Sequence, residues 1–302
     1  MQQRVIPPRA WFELFLLATI WGGSFLFNRL ALDELGVFTT VAFRVGGACL
    51  VLWTCVAALR LPLPRRPGVW ASFLVMGALN NAIPFTLITW GQLTIPTGLA
   101  AIVNASTAIF GVLVAALLFR DERLTPARLV GVLLGFAGVA VAIGLSALTA
   151  LDLTALPQLA LVCASLSYAL AAVWARKRLG GLAPQVAAAG MLTGSSLIMI
   201  PLALWSEGLP SLTHGPGTWL ALGYLATVST AGAYLLYYRV LGMAGAGNLS
   251  LVTLLVAPVA IVLGALVLNE ALPMRAYAGF ALIALGLLTI DGRAFARAKI
   301  SA

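Results

Sequence analysis

Charge is what this sequence has least of. Only 9% of its 302 residues are Asp, Glu, Lys or Arg, and 62% are hydrophobic. A water-soluble domain usually carries about 25% charged residues. The composition therefore predicts an all-α polytopic membrane protein surrounded by lipid. The net charge of +9 does not indicate nucleic-acid binding, because membrane proteins collect Lys and Arg in their cytoplasmic loops.

Groups that perform catalysis are equally scarce. The chain has one histidine, and Cys49, Cys55 and Cys163 lie in apolar runs without metal-ligand spacing, which predicts small buried apolar residues. No glycine-rich phosphate loop is followed by lysine, and no acidic residue falls at the predicted middle of a span. The sequence thus predicts no enzyme, no metal, no cofactor and no proton switch built on a buried carboxylate.

Long apolar runs, in contrast, are frequent. A membrane crossing needs about 20 apolar residues, and the runs between proline, glycine and charged turns predict ten transmembrane helices. Their predicted bounds are Trp11–Leu32, Val37–Leu59, Val69–Trp90, Thr97–Phe119, Pro126–Leu148, Gln158–Trp174, Pro184–Trp205, Gly217–Tyr238, Ala246–Leu268 and Met274–Ile290.

An internal repeat organises these helices. The stretch Thr97–Gly144 recurs at Gly245–Gly292 with an offset of 148, so that Glu122 corresponds to Glu270. The repeat divides the chain into a first five-helix unit (1–148), a loop (149–157) and a second five-helix unit (158–302) that ends in a basic tail. Because five is odd, the two units cross the membrane in opposite directions. Such inverted-topology repeats are typical of transporters that bind substrate in a central cavity between them.

The distribution of basic residues predicts the orientation. If both termini are cytoplasmic, all of the 18 Lys and Arg residues except Arg29, Arg44 and Arg275 fall on the cytoplasmic side. We therefore expect a multi-pass protein of the cell inner (plasma) membrane with cytoplasmic termini. We further expect it to act as a monomer.

Several motifs carry a resemblance to a known family. Residues 96–138 contain Pro96-Thr-Gly-Leu-Ala-Ala, Leu118-Phe-Arg-Asp-Glu-Arg-Leu-Thr-Pro and Gly131-Val-Leu-Leu-Gly-Phe-Ala-Gly, and Leu268-Asn-Glu-Ala-Leu-Pro echoes the second of these. Together with Trp21-Gly-Gly-Ser-Phe and Val41-Ala-Phe-Arg, they resemble the drug/metabolite transporter superfamily, EamA type. Within it the sequence is most similar to YddG-type exporters of aromatic amino acids and methyl viologen. The resemblance implies export of small organic solutes.

Polar and aromatic residues within apolar spans are the candidates for the cavity wall. Buried polar groups in lipid must find partners or line water, and aromatic rings stack on aromatic or cationic cargo. Ordinary helix contacts remain the alternative for each of them. The candidates are Trp21, Ser24, Asn28, Asn80, Asn81, Phe85, Trp90, Asn104, Tyr168, Trp174, Tyr224 and Tyr234.

Three further features concern helix geometry and charge. Pro84 is expected to kink helix 3 and free a carbonyl, and Pro258 is either a hinge or a packing residue in helix 9. Glu122 and Glu270 precede helix starts and are predicted to be structural. Arg44 is expected to reach outward to water or to pair with Asp33 or Glu34.

These features predict a secondary transporter that exports aromatic and other large apolar amino acids by alternating access. A cavity of neutral amides, hydroxyls and rings is expected to discriminate poorly by charge. The alternatives are a broad-specificity drug or cation efflux transporter and, from another class, a non-transporting membrane protein or membrane enzyme.

Overall fold

The helices follow one another with short connections. The computed structural model describes residues 8–119, 125–143, 156–211, 213–244 and 251–291, and these contain helices and no strand. In chain order the helices are α1 (Pro8–Ala31), α2 (Val37–Ala58), α3 (Pro67–Gly91), α4 (Thr97–Leu118), α5 (Pro126–Ile143), α6 (Leu156–Arg178), α7 (Pro184–Ser206), α8 (the consecutive segments Pro216–Gly223, Tyr224–Gly232 and Ala233–Ala244), α9 (Leu251–Leu268) and α10 (Met274–Asp291).

Within this described part of the chain, seven helices are long and apolar enough to cross a membrane, namely α1 to α4 and α6 to α8. The other apolar helical stretches are shorter and comprise Leu129–Ala142, Leu255–Leu268 and Met274–Thr289. The prediction of an all-helical polytopic membrane protein is confirmed, whereas the number of ten crossings stays a prediction. Glu122, residues 149–155 of the predicted loop and the tail from residue 292 lie outside the described residues.

Carboxylates stabilise two helix starts at the end of the molecule that we predict to be external. Glu207, which follows α7, accepts hydrogen bonds from the backbone N–H groups of Phe38 (3.0 Å) and Thr39 (2.8 Å). Glu270 accepts one from the backbone N–H of Thr97 (2.9 Å). Each places a negative charge at the positive end of a helix dipole. The structural role predicted for Glu270 is confirmed, although it serves the start of α4 rather than the start of its own α10.

A glycine seam brings α5 and α10 into close contact. A Cβ atom added to Gly138 would lie 2.7 Å from the carbonyl oxygen of Gly279 and 2.7 Å from the backbone nitrogen of Ile283. One added to Gly286 would lie 2.6 Å from the carbonyl oxygen of Gly131. Small residues at such spacing let two helix backbones approach closely in lipid. The scaffold role predicted for these glycines is confirmed.

The main helix contacts are preserved when the two halves of the chain are exchanged. Helix α2 packs on α7, α5 on α10, and α4 on α9. The remaining major contacts occur in matching pairs: α1–α9 with α4–α6, α3–α7 with α2–α8, and α3–α6 with α1–α8. In each pair, replacing a helix by the helix five places along the chain converts one contact into the other. Helices α3 and α8 therefore occupy equivalent positions in the two halves, and we call them the central helices.

Both of these central helices contain a π-helical segment. It covers Ala78–Ala82 in α3 and Tyr224–Gly232 in α8. Pro84 follows the first segment and cannot donate a hydrogen bond, and in π geometry the carbonyl left without that donor is the one at Leu79. The hydroxyl of Ser167 on α6 donates to this carbonyl at 2.7 Å. The expectation of a freed carbonyl in helix 3 is confirmed, and a neighbouring helix supplies its donor.

The cysteines depart from their predicted burial. Cys163 is exposed, and Cys49 and Cys55 are partly exposed. The prediction was wrong for Cys163 because, in a protein surrounded by lipid, an apolar outer surface is as suitable for a thiol as the core is.

Candidate functional site

The central helices hold a partly buried network of two amides and a phenol. The side-chain nitrogen of Asn80 donates to the hydroxyl of Tyr234 (2.9 Å), and that hydroxyl donates to the side-chain oxygen of Asn81 (2.7 Å). The π segment of α3 carries both asparagines, and Tyr234 lies two residues beyond the π segment of α8. The network therefore connects the two equivalent central helices of the halves. Three of the predicted cavity residues meet here.

Helix α7 adds a sulfur and a hydroxyl to this network. The Asn80 nitrogen lies 3.3 Å from the sulfur of Met191, and the Asn81 nitrogen lies 3.5 Å from the hydroxyl of Ser195. Met191 also lines a pocket of about 200 Å³ at the end predicted to be cytoplasmic, together with Arg176 in the last turn of α6. Met191 thus contacts Asn80 and also lines the pocket.

Arg44 of α2 lies inside the protein. Its side chain is only 7% exposed, its Nε donates to the hydroxyl of Thr230 (3.0 Å), and its guanidinium carbon lies 3.8 Å from the ring centroid of Phe85. The expectation that Arg44 reaches outward or pairs with Asp33 or Glu34 is wrong. The physical reason is competition: Asp33 forms an ion pair with Arg29 within α1, and Glu34 accepts hydrogen bonds from the loop before α8.

Tyr168 of α6 completes the central group. Its ring packs against both of the large apolar clusters of the protein, and the second of these also contains Phe85 and Tyr234. Of the predicted residues, the structure therefore brings together Asn80, Asn81, Phe85, Tyr168 and Tyr234. We call these five residues, with Arg44 and Thr230, the central site.

The polar residues of α1 lie apart from this network. Asn28 donates to the side-chain oxygen of Gln92 (2.9 Å) and accepts from the hydroxyl of Thr89 (3.1 Å), and all three are buried. Ser24, one turn earlier, is also buried. Asn28 therefore has its partners within the contact between α1 and the end of α3.

Two aromatic candidates pack at the contact between α1 and α8. The hydroxyl of Tyr224 donates to the carbonyl of Ile20 (2.8 Å), and its ring stacks on Phe27 at 4.1 Å between centroids. Trp21 lies against Tyr237 with 6.0 Å between ring centroids.

The remaining candidates are spread over other contacts. The indole N–H of Trp174 donates to the carbonyl of Ser72 (3.1 Å), which connects α6 to α3. Trp90 is 40% exposed near the end of α3. Asn104 marks a break within α4, and its side-chain oxygen is buried without a hydrogen-bond partner among the described residues.

The two predicted hinge residues differ in their surroundings. Pro84 is buried directly after the π segment of α3, beside the amide network. Pro258 lies inside α9 and is exposed. Only Pro84 adjoins the central site.

Sequence reasoning missed Arg44 and Thr230 as members of the central site. A signal for Arg44 was present, because it is a single charge eight residues into an apolar span, and such charges usually face the bundle interior. A signal for Thr230 was the shared helix start, Pro67-Gly-Val-Trp and Pro216-Gly-Thr-Trp, which aligns Asn81 with Thr230 and Phe85 with Tyr234.

Comparison with known families gives a match over almost the whole chain. The family model described as the EamA-like transporter family matches twice, at residues 10–144 and again at residues 156–290.

Individual relatives and a solved structure match at low identity. A "Probable terminal-alkyne amino-acid exporter" from Streptantibioticus cattleyicolor is 26% identical, over 96% of this chain and 96% of its own length. A "Probable amino-acid metabolite efflux pump" from Escherichia coli is 27% identical, over 90% of this chain and 91% of its own. A crystal structure has a TM-score of 0.68 at 21% identity, covering 96% of this chain and 98% of that one, which shows a common fold.

Proposed function

This chain belongs to the EamA-like transporter family, and we propose that it exports aromatic and other large apolar amino acids. The relatives described above are named for the export of amino acids or amino-acid metabolites. The observation that carries the proposal is the central site, where amides, hydroxyls and aromatic rings from both halves meet, next to the pocket residue Met191.

The proposed architecture comprises ten crossings in two inverted five-helix repeats, 1–148 and 158–302, joined by residues 149–157. The exchange symmetry of the helix contacts supports it, as do the paired π segments and the two matches to the family model. We propose that the protein is a monomer of the inner (plasma) membrane with cytoplasmic termini and that it works by alternating access. The central site would then lie at the repeat interface, where such carriers bind substrate.

The chemistry of the central site favours a zwitterion with a large apolar side chain. Amides and hydroxyls offer donors and acceptors to ammonium and carboxylate groups. The rings of Phe85, Tyr168 and Tyr234 offer a wall on which an aromatic side chain packs edge to face or offset. Burying a Phe-sized group stabilises the complex by about 1.5–3 kcal/mol, which is about tenfold to a hundredfold in affinity over alanine.

Purified protein in liposomes tests the function directly. We expect concentration-driven flux of labelled tryptophan and phenylalanine that exceeds the flux of alanine and is absent from protein-free liposomes. A well-folded preparation that moves none of the amino acids would contradict the proposal. Flux of organic cations alone would support the alternative drug or cation transporter.

The aromatic wall is tested by Tyr168→Ala, with Tyr277→Ala as the matched control because Tyr277 is 42% exposed on α10. The ratio of phenylalanine to alanine flux should narrow in the first variant and stay at the wild-type value in the second. An unchanged ratio in Tyr168→Ala would remove Tyr168 from the proposed substrate contact.

A further inference from the structure

Arg44 is a cation held where cations are costly. Its side chain is 93% buried, and it lies seven residues after the start of α2, about 10 Å along the helix axis. Moving a charge out of water is unfavourable unless the charge is paired and hydrogen-bonded. Charged side chains within membrane spans therefore mark functional positions more often than structural ones.

The partners of Arg44 within the protein do not neutralise it. Among the described residues, its single hydrogen bond runs from Nε to the neutral hydroxyl of Thr230, and its other close partner is the ring face of Phe85. No carboxylate of the described chain forms an ion pair with it. The nearest in sequence, Asp33 and Glu34, bind Arg29 and the backbone of Gly215 instead.

The two terminal nitrogens of the guanidinium are available. They form no hydrogen bond with a described residue, and neither nitrogen is fully enclosed by other atoms. Both therefore remain free to donate to a bound solute. A guanidinium has five N–H donors, and the bond to Thr230 uses only the one on Nε. The remaining four form the fork that binds the two oxygens of a carboxylate.

Arg44 lies next to the aromatic part of the central site. The ring of Phe85, against which the guanidinium packs, belongs to the same apolar cluster as Tyr168 and Tyr234. The Phe85 ring covers one side of the guanidinium at 3.8 Å. A planar anion bound by the fork would thus have aromatic rings next to it, where an apolar side chain attached to the same molecule could pack.

We propose that the Arg44 guanidinium binds the carboxylate of the exported solute, so that the transporter selects organic monocarboxylates over amines and cations. The proposal rests on the proposed function and replaces the expectation that the cavity discriminates poorly by charge. A single unpaired positive charge is neutralised by one negative charge, which favours a monocarboxylate over a doubly charged phosphate ester. The same charge repels a dication, which speaks against cation efflux.

A ligand series tests the proposal in the unmodified protein. Phenylalanine, 3-phenylpropionate, which lacks the amine, and phenylalaninamide, which lacks the carboxylate, each compete with labelled phenylalanine for the purified full chain. We expect the two carboxylates to bind at least tenfold more tightly than the amide, because hydrogen bonds to a charged partner are the stronger ones. Flux into liposomes should follow the same order.

Variants assign the preference to Arg44. Arg44→Met removes the charge at similar length and should reduce the ratio of acid to amide affinity to near one, whereas Arg44→Lys should retain a reduced preference for the acid. Arg29→Met is the matched control, because Arg29 is a partly exposed arginine at the end of α1 whose partner is Asp33. Thermal unfolding of each variant in detergent reports whether it folds.

The outcomes separate this proposal from the proposed function. Transport of phenylalanine and phenylalaninamide at equal affinity would leave amino-acid export intact and overturn the carboxylate site. An unchanged preference for the acid in folded Arg44→Met would overturn it as well. Chloride dependence without a preference for the acid would identify an inorganic anion as the occupant and would also overturn it. Absence of binding and flux for every compound would defeat both proposals together.

Discussion

The phenol of Tyr234 connects the two central helices. The hydroxyl of Tyr234 on α8 accepts from Asn80 and donates to Asn81, both on α3. Buried polar groups without partners cost far more than a satisfied hydrogen bond contributes, so this hydroxyl protects two amides. At the scale of the residue, the stability of the central site depends on each polar side chain having a hydrogen-bond partner.

Removal of that hydroxyl should weaken folding while sparing selectivity. In Tyr234→Phe the two amides lose their shared partner, which should destabilise the protein by about 1–3 kcal/mol. The ring remains, so the ratio of phenylalanine to alanine flux should be close to wild type. Thermal unfolding in detergent and liposome flux measure the two effects. Tyr277→Phe, at an exposed ring, should change neither.

Glu34, at the end predicted to be external, should make the stability of the folded state depend on pH. Its carboxylate accepts hydrogen bonds from the backbone N–H of Gly215 (2.9 Å) and from His214 (3.2 Å if that nitrogen carries the proton). The backbone bond to Gly215 lowers the pKa of Glu34 from its ordinary value of 4.5. A lowered carboxyl pKa stabilises the folded state above the ordinary value, and this stability is lost as pH falls through the lowered value.

The corresponding variant is Glu34→Gln, whose side chain stays neutral at every pH. Wild type should unfold at a higher temperature than the variant at neutral pH, and the difference should shrink once the pH falls below 4.5. Thermal unfolding across a pH series measures it. A difference that stays constant into the acid range would show that charge is not what Glu34 contributes.

At the scale of the element, the π segment of α3 is the feature with the clearest cause. Pro84 withdraws a donor from the helix, and the freed carbonyl of Leu79 is bound by Ser167 of α6. Helical π segments are frequent at functional sites, and this one carries both asparagines of the central site. The same proline therefore shapes the helix and connects it to the other half.

A double-mutant cycle tests this account. Ser167→Ala should destabilise the wild-type protein by about 1 kcal/mol, because the Leu79 carbonyl loses its donor. In the Pro84→Ala background the new N–H of residue 84 can supply that donor, so Ser167→Ala should cost less there. Pro84→Ala should also slow flux by straightening α3. Equal costs of Ser167→Ala in both backgrounds would argue against the coupling.

Two glycine substitutions test the seam between α5 and α10, and we expect them to change stability in opposite directions. Gly138→Ala places a methyl group against the backbone of α10, and such overpacking costs about 1–3 kcal/mol. Gly111→Ala, in α4, meets no atom within 4 Å and should stabilise the helix by up to about 1 kcal/mol. Melting temperatures of the two variants should move in opposite directions, and a shared direction would contradict the seam.

At the scale of the whole molecule, the inverted repeat makes a prediction about topology. Single cysteines introduced at Arg65 and Lys177 should react with a membrane-impermeant reagent only from the cytoplasmic side, and one at His214 only from outside. The Cys-free background Cys49→Ser, Cys55→Ser and Cys163→Ala removes the native thiols. Residues 65 and 177 labelled from opposite sides would exclude the ten-crossing arrangement.

Composition and hydrophobic pattern were sufficient to predict where several helices begin. The predicted starts of α2, α4, α7 and α10 coincide with the observed ones because prolines, glycines and loop charges interrupt apolar runs at those points. The glycine seam was also readable, since its residues recur at helical spacing. Asn80, Asn81 and Pro84 stood out because amides and proline are costly inside a span.

Only the tertiary structure decided which of these costly groups meet. Asn28 and Tyr234 looked alike as polar residues in apolar helices, yet Asn28 is satisfied by Gln92 within the first half while Tyr234 bridges both halves. Two carboxylates lie near Arg44 in the sequence, but Asp33 pairs with Arg29 and Glu34 accepts a hydrogen bond from Gly215. Sequence determines which groups must find partners in lipid, but the partner is chosen by distances between helices that lie more than a hundred residues apart in the chain, as Arg44 and Thr230 do.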